Sequence, residues 1–178
     1  ANAEAAWNTT YGDPNVIIAI VDSGVDIYHA DLNCMAGYDF GDNDSNPMDD
    51  SRSAGHGTAC AGVAAAIANN NLGAVGIAGG CYIMPLKVAD RAGSMYFSAI
   101  VNAIYHAADN GADIASMSFG ASGVFSYQPF DDAAAEPLRP ADDFGAVEGD
   151  AAADLGLFRQ QPCEFFSCPG FNALANFL

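Results

Sequence analysis

The sequence predicts an α/β domain in three layers, αβα, built around a mainly parallel sheet. Three observations predict it. Apolar, strand-sized runs alternate with helix-length segments. The first run is β-branched without a polar break, and residues able to do chemistry stand just past strand ends. Val16-Ile-Ile-Ala-Ile-Val21 is the composition of a strand covered on both faces, and Asp22-Ser23-Gly24 ends it. Residues 34–40 predict a short second strand, followed by an acidic loop rich in Asn and Gly from Gly41 to Gly55. Thr58 to Asn69 is rich in alanine, with Gly62 as its breaker, and predicts a helix. Residues 81–88 predict a third strand. Phe97, Ile100, Val101, Ile104, Ala107 and Ala108 follow the i, i+3, i+4, i+7 stripe of a helix packed on a sheet, and Asp109-Asn110-Gly111 stops it. Asp113 to Ser118 predicts a fourth strand. Such alternation implies right-handed crossovers with helices on both faces. Sites in these sheets gather beyond the carboxyl ends of the strands, where Asp22 and Gly120 stand.

The composition changes after Gly120. Residues 121–178 hold no Ile, Thr, His or Lys, two valines (Val124 and Val147), five prolines and eight phenylalanines. Buried parallel strands are rich in Val and Ile, so this segment is a poor source of further central strands. It offers a short helix at about 146–157. The chain is therefore divided into 1–120, which carries the α/β pattern, and 121–178, an atypical tail. No internal repeat is present.

A chain of 178 residues with 51% hydrophobic content can bury one core. No run approaches the ~20 apolar residues of a membrane helix, so no membrane partner is expected. With 22 acidic against 5 basic residues and a net charge of −17, nucleic acid is not expected as a partner either, because phosphate contacts need Lys and Arg. Three readings of the charge stay open: a self-repelling soluble surface, adaptation to high salt (Lys87 is the single lysine), and cation binding by clustered carboxylates. Five cysteines, Cys34, Cys60, Cys81, Cys163 and Cys168, leave at least one thiol unpaired. Cys163-x4-Cys168 lacks a nearby His and fits a local disulfide or free thiols better than a metal site. The sequence shows no initiator Met and no basic segment before an apolar stretch, so any secretory leader is expected to have been removed already, by processing or by the choice of expressed segment.

Asp22 after a strand is compatible with a turn residue or with a catalytic carboxylate. His56 stands in Gly55-His56-Gly57-Thr58, where glycines permit close approach of other backbone or of a substrate. The helix that follows puts His56 near a helix N-terminus, whose dipole disfavours imidazolium and helps keep a neutral base. A helix-entry histidine without chemistry has the same local sequence.

The motifs are more specific in order than singly. Val16 to Asp22 runs on into Ser23-Gly24-Val25-Asp26, then His29-Ala30-Asp31-Leu32. Gly55-His-Gly-Thr-Ala-Cys-Ala-Gly62 follows, then Asn69-Asn-Asn-Leu-Gly73, Gly76-Ile-Ala78 and Pro85-Leu-Lys-Val88. Gly93-Ser94 and Ser116-Met-Ser-Phe-Gly120 close the series. Over about residues 5–120 this series closely resembles the N-terminal half of the catalytic domain of the subtilisin-like serine proteases, the subtilases. The resemblance implies a subtilisin-like fold, truncated in this chain. It implies that Asp22 orients and supports His56, the general base. It places Ser118, Phe119 and Gly120 beside an extended substrate, with Gly93 and Ser94 on the opposite side of the cleft. It implies structural calcium and no organic cofactor. Asp31 and the side chain of Asn70 would hold the ion with the carbonyls of Ala68, Leu72 and Ala74. The loop bearing Asp39, Asp42, Asp44 and Asp49 resembles a second calcium loop of some members, and is equally a solvated acidic loop. Protein or peptide substrates, a propeptide removed in maturation, and secretion follow from the same resemblance. Cys60 would lie near the site as in thiol-containing members, or be an inert buried thiol. His29 and His106 are expected to be structural or surface residues.

Two family motifs should follow Gly120: Ala-Ala-Gly-Asn, which supplies an oxyanion-hole Asn, and Gly-Thr-Ser-Met-Ala, which supplies the nucleophile. Residues 121–178 contain no Thr, their asparagines are Asn172 and Asn176, and their serines are Ser122, Ser126 and Ser167. None stands in a family context. The expected function is therefore that of a serine endopeptidase by family, with its nucleophile not identifiable and this chain alone inactive. The alternative is a truncated or frameshifted remnant, or a non-enzymatic module that binds peptide or calcium.

Overall fold

Strand β1 (Ile17–Asp22) is the axis of the sheet, buried from Ile18 onward, as its unbroken apolar run requires. The computed structural model describes residues 3–52 and 54–119 and, past these, 129, 132 and 133. Gly120, the 146–157 helix, Cys163, Cys168 and the candidate serines and asparagines of the tail lie outside the described residues.

A short helix α1 (Ala3–Trp7) precedes β1. Its Trp7 Nε1 donates to the Ile77 carbonyl at 2.9 Å and its ring stacks on Tyr11. After β1 come β2 (Tyr38–Asp39), α2 (His56–Ala65), β3 (Tyr82–Lys87), α3 (Phe97–Asp109) and β4 (Ile114–Met117). The strands are parallel in the order β2-β3-β1-β4. The period of two along β1 sorts its side chains to two faces. Ile18 and Ile20 meet Ala61 and Ala65 of α2 on one face. Ala19 and Val21 meet Ile100, Ala103, Ile104 and Ala107 of α3 on the other. The three-layer α/β arrangement expected from the sequence is the one observed, and its parity puts Asp22 on the α2 face.

Two boundaries differ from expectation. The second strand shrinks from 34–40 to two residues plus an isolated bridge between Cys34 and Ile83. Its neighbour β3 contains Pro85. Ile83 and Lys87 exchange hydrogen bonds with the 33–40 segment, so the same-parity position, Pro85, faces it without an N–H, and the ladder breaks there. Helix α2 starts at His56, two residues early, and ends at Ala65, four residues early. At Ala66 the chain turns to φ −57°, ψ 136°, and Ile67 N donates to the Asp31 carbonyl. Tertiary bonds end this helix against its alanine-rich propensity.

Candidate active site

Asp22 closes β1 at the carboxyl edge of the sheet, and His56 opens α2 directly over it. His56 Nδ1 lies 2.7 Å from Asp22 Oδ1. The carboxylate is 1% exposed and the imidazole 44% exposed. One partner is thus fixed in the interior and the other reaches solvent. The Ser23 amide also donates to Asp22 Oδ1, at 2.6 Å. Asp22 Oδ2 is buried and accepts no hydrogen bond among the described residues.

The close approach of the two elements depends on Gly57. A Cβ there would stand 2.1 Å from the Gly24 carbonyl oxygen and 3.0 Å from Asp22 Cβ. Any larger residue would push α2, and His56 with it, away from the sheet. Gly55 meets a different demand: it caps the helix at φ 103°, a conformation that favours glycine.

Gly55 offers no side chain to the free amides of the first helical turn. Asp49 supplies it from a distance. Its Oδ2 accepts from Gly55 N (2.8 Å), Thr58 N (3.1 Å) and Thr58 Oγ1 (2.7 Å). Its Oδ1 accepts from Ser23 Oγ at 2.9 Å, and Ser23 Oγ accepts from Gly57 N at 2.9 Å. Asp49 and Ser23 therefore tie the end of β1 to the start of α2, and so position the Asp22–His56 pair.

Cys60 lies one turn beyond His56 on the same helix face, its Sγ 4.0 Å from His56 Nδ1. Burial pushes its thiol pKa up, a hydrogen bond with Ser118 lowers it, and the Asp22 charge raises it again. The net shift is upward, which keeps a protonated thiol. Cys34, pushed up to about 11 by burial and then by Asp26, and the buried Cys81, also raised, are likewise free thiols.

The candidate substrate segments leave the sheet on either side of Asp22, because β3 and β4 flank β1. Gly93 and Ser94 form a tight turn after β3, with Ser94 N donating to Asp90 Oδ1 at 2.9 Å. Ser118 and Phe119 follow β4, and Phe119 packs against the α3-side core.

Asp31 is 3% exposed, and none of the described lysines or arginines pairs with it. It accepts from Asn70 Nδ2 at 2.6 Å and from Ala74 N at 3.2 Å. The carbonyls of Ala68, Leu72 and Ala74 accept no hydrogen bond among the described residues. Asn70 Oδ1 accepts from Leu72 N at 3.0 Å, so the amide turns its NH2 to the carboxylate here; a buried carboxylate with no cationic partner among the described residues, beside free carbonyls, is an oxygen set that suits a hard cation such as calcium. The acidic loop differs. Asp39, Asp42, Asp44 and Asp49 do not converge. Lys87 Nζ sits among the loop's carboxylates instead, 2.8 Å from Asp39 Oδ2, 2.7 Å from Asp50 Oδ1 and 3.7 Å from Asp42 Oδ2. Asp44 accepts from Asn46 N, and Asp49 faces the helix entrance. These four do not fit a second calcium in this arrangement, because the loop encloses an ammonium of its own.

His29 Nδ1 accepts from Asp31 N, a local turn role as expected. His106 packs against Phe40 and Tyr38, with ring centroids 5.5 and 6.2 Å away, and burial lowers its pKa.

A buried Asp at the carboxyl end of a central parallel strand, bonded to a His that opens the next helix, is an arrangement in which a carboxylate can fix an imidazole for acid–base work on an α/β frame. The subtilase family model matches residues 13–153, and this chain belongs to that family. It is 44% identical over 120 residues to thermitase of Thermoactinomyces vulgaris, covering 66% of this chain and 42% of thermitase. It is 44% identical over 117 residues to the thermophilic serine proteinase of Bacillus sp. strain AK1, covering 65% of this chain and 28% of the relative. A halolysin-like extracellular serine protease of Natrialba magadii is 39% identical over 126 residues, with 67% and 23% covered. The matched segment thus spans less than half the length of each of these relatives.

Proposed function

We propose that this chain carries the acid–base half of a subtilisin-type serine endopeptidase site. The Asp22–His56 hydrogen bond of 2.7 Å, set in a subtilase frame, carries the reading. Asp22 holds the imidazole with its proton on Nδ1, which leaves Nε2 to take the proton of a serine hydroxyl. The buried carboxylate would stabilise the imidazolium as it forms. The serine would attack the peptide carbonyl, expel the amine as His56 returns the proton, and leave an acyl-enzyme for water. Gly93, Ser94, Ser118, Phe119 and Gly120 would pair with an extended protein or peptide substrate by main-chain hydrogen bonds.

The nucleophile's family motif does not occur in the 178 residues, so we read this chain alone as inactive. In subtilisin, loss of the serine costs about 10⁶ in turnover. The expected result is no labelling by a serine-directed fluorophosphonate probe. Labelling that disappears when one serine is substituted overturns it. The motif-free tail favours a second reading, a non-catalytic remnant that holds peptides. Saturable binding of an extended peptide without turnover supports that reading, and casein hydrolysis excludes it. A Gly-Thr-Ser-Met-Ala in another reading frame of the coding DNA past codon 120 would identify a frameshift.

Calcium at Asp31, Asn70 and the carbonyls of Ala68, Leu72 and Ala74 belongs to the same proposal, as a structural cation. At a hundredfold excess over Kd it would add about 2.7 kcal/mol, or about 5–10 °C in the unfolding midpoint of a chain this size. Asp31→Asn should abolish that response. A midpoint unchanged by EGTA sinks the calcium reading. An extracellular location is proposed from the Natrialba magadii relative, which is named extracellular. No helix among the described residues is long and apolar enough to cross a membrane.

A further inference from the structure

We propose that Asp49 is a positioning residue for the acid–base pair and acts through the hydroxyl of Ser23. The assignment follows from which groups can donate and which can accept. Ser23 Oγ lies 2.9 Å from Gly57 N, which can only donate, so the hydroxyl oxygen accepts there. It also lies 2.9 Å from Asp49 Oδ1. An ionised carboxylate can only accept, so the one hydroxyl proton goes to Asp49. Ser23 is 1% exposed, which leaves no solvent to rearrange this pattern. Its amide already donates to Asp22 Oδ1 at 2.6 Å. With its hydroxyl proton held by Asp49, Ser23 gives nothing to Asp22 Oδ2, the buried oxygen that accepts no hydrogen bond among the described residues. The Asp22 carboxylate is thereby left to act on His56 Nδ1, 2.7 Å away.

Without Asp49 two things change. The Ser23 proton becomes free for the adjoining carboxylate, and a further donor on Asp22 weakens its bond to His56. Ser23 Oγ also loses the anchor that aims its lone pair at Gly57 N, the residue next to His56. The helix cap is a separate matter. Asp49 holds Gly55 N, Thr58 N and Thr58 Oγ1 with its other oxygen, Oδ2. One oxygen thus secures the helix end, and the other fixes where the Ser23 proton points. The proposal rests on the acid–base reading of Asp22 and His56, and it requires no nucleophile.

The test is the proton magnetic resonance of His56 Nδ1–H in the whole chain, assigned with isotope-labelled histidine and with His56→Gln as the blank. The parent is expected to show it at the low field of a carboxylate-bound imidazole proton. Asp49→Ala should move it upfield and speed its exchange with water roughly tenfold, the scale of one weakened hydrogen bond to a charged group. Asp49→Asn can still cap the helix with its carbonyl oxygen, which turns its NH2 to Ser23. It should move the resonance the same way, and it decides if the alanine variant does not fold. Thr58→Val removes a cap contact without touching Ser23. It should lower the unfolding midpoint and leave the resonance in place. In a Ser23→Ala background, Asp49→Asn should shift the resonance little further. If the parent lacks the low-field proton, the Asp22–His56 pair and this proposal fall together. If the parent shows it, three results overturn this proposal alone: Asp49→Asn leaves the resonance unmoved, the shift persists undiminished without the Ser23 hydroxyl, or Thr58→Val shifts it as far.

Discussion

Lys87→Met should destabilise the fold by about 3–5 kcal/mol, the range for removing one partner of a buried ion pair. Lys87 is 1% exposed and Asp39 is 2% exposed, with 2.8 Å between ammonium and carboxylate. Asp39 Oδ1 already accepts from Gly41 N and Asp42 N, so the loss falls on Oδ2, left buried and charged. Asp50, also bonded to Lys87, is 48% exposed and can turn to water, so it adds little. Most of the cost therefore lies in Asp39. Asp39→Asn placed in the Lys87→Met background should recover much of it, because the stranded charge is gone. Urea unfolding of the parent and both variants measures this, and a loss below about 1 kcal/mol for Lys87→Met would contradict it. The pH dependence has a definite sign. Burial lowers the Lys87 pKa, but hydrogen bonds and charge from Asp39 and Asp50 more than offset this and leave it raised. That contribution is complete below the unfolded lysine value of about 10.4 and fades as pH rises through the folded one. Asp50 is held low, chiefly by its hydrogen bond from Lys87. Its smaller contribution is present above about 3.9 and is lost as pH falls through the folded value.

What the sequence made legible follows from how local each signal is. β1 was readable because burial on both faces leaves an unbroken β-branched run, and the same parity that buries Ile18 and Ile20 turns Asp22 toward α2. His56 was readable because its flanking glycines answer two local demands, a left-handed cap and a close approach. The roles of Asp49 and Lys87 were not readable. Asp49 caps a helix from across the acidic loop, and no short-range pattern joins it to Thr58. Asp39 meets Lys87 only through the parallel register of β2 on β3. One signal pointed there: a single lysine inside an apolar strand needs carboxylate partners, and the densest acidic segment runs from Asp39 to Asp50. That segment looked instead like a place for a metal, because composition shows where negative charge gathers and not which cation gathers it.

The same distinction between local and distant determinants governs the largest functional effect expected. If Asp22 and His56 are half of a site, they should work once the other half is supplied. Residues 1–119 joined to the part of thermitase that follows its matched segment should hydrolyse casein, the two chains being 44% identical over 120 residues. In that chimera Asp22→Asn should lower kcat by about 10⁴ while leaving KM within a few-fold. The size follows from what the exchange removes. An amide can still hydrogen-bond to the ring, but it can do so as a donor to Nδ1. That leaves the proton on Nε2, where the serine hydroxyl needs an acceptor. It also removes the charge that stabilises the imidazolium, and the buried setting of Asp22, at 1% exposure, prevents water from replacing either function. Gly57→Ala in the same chimera should also lower turnover, but with a loss of stability, since its Cβ would meet the Gly24 carbonyl at 2.1 Å. Asp22→Asn should leave the unfolding midpoint near that of the parent chimera, because Asn fills the same space. Turnover that survives Asp22→Asn within tenfold would mean that the 2.7 Å contact is a structural bond at a helix entry. The catalytic reading would then fall, and the fold would stand unchanged.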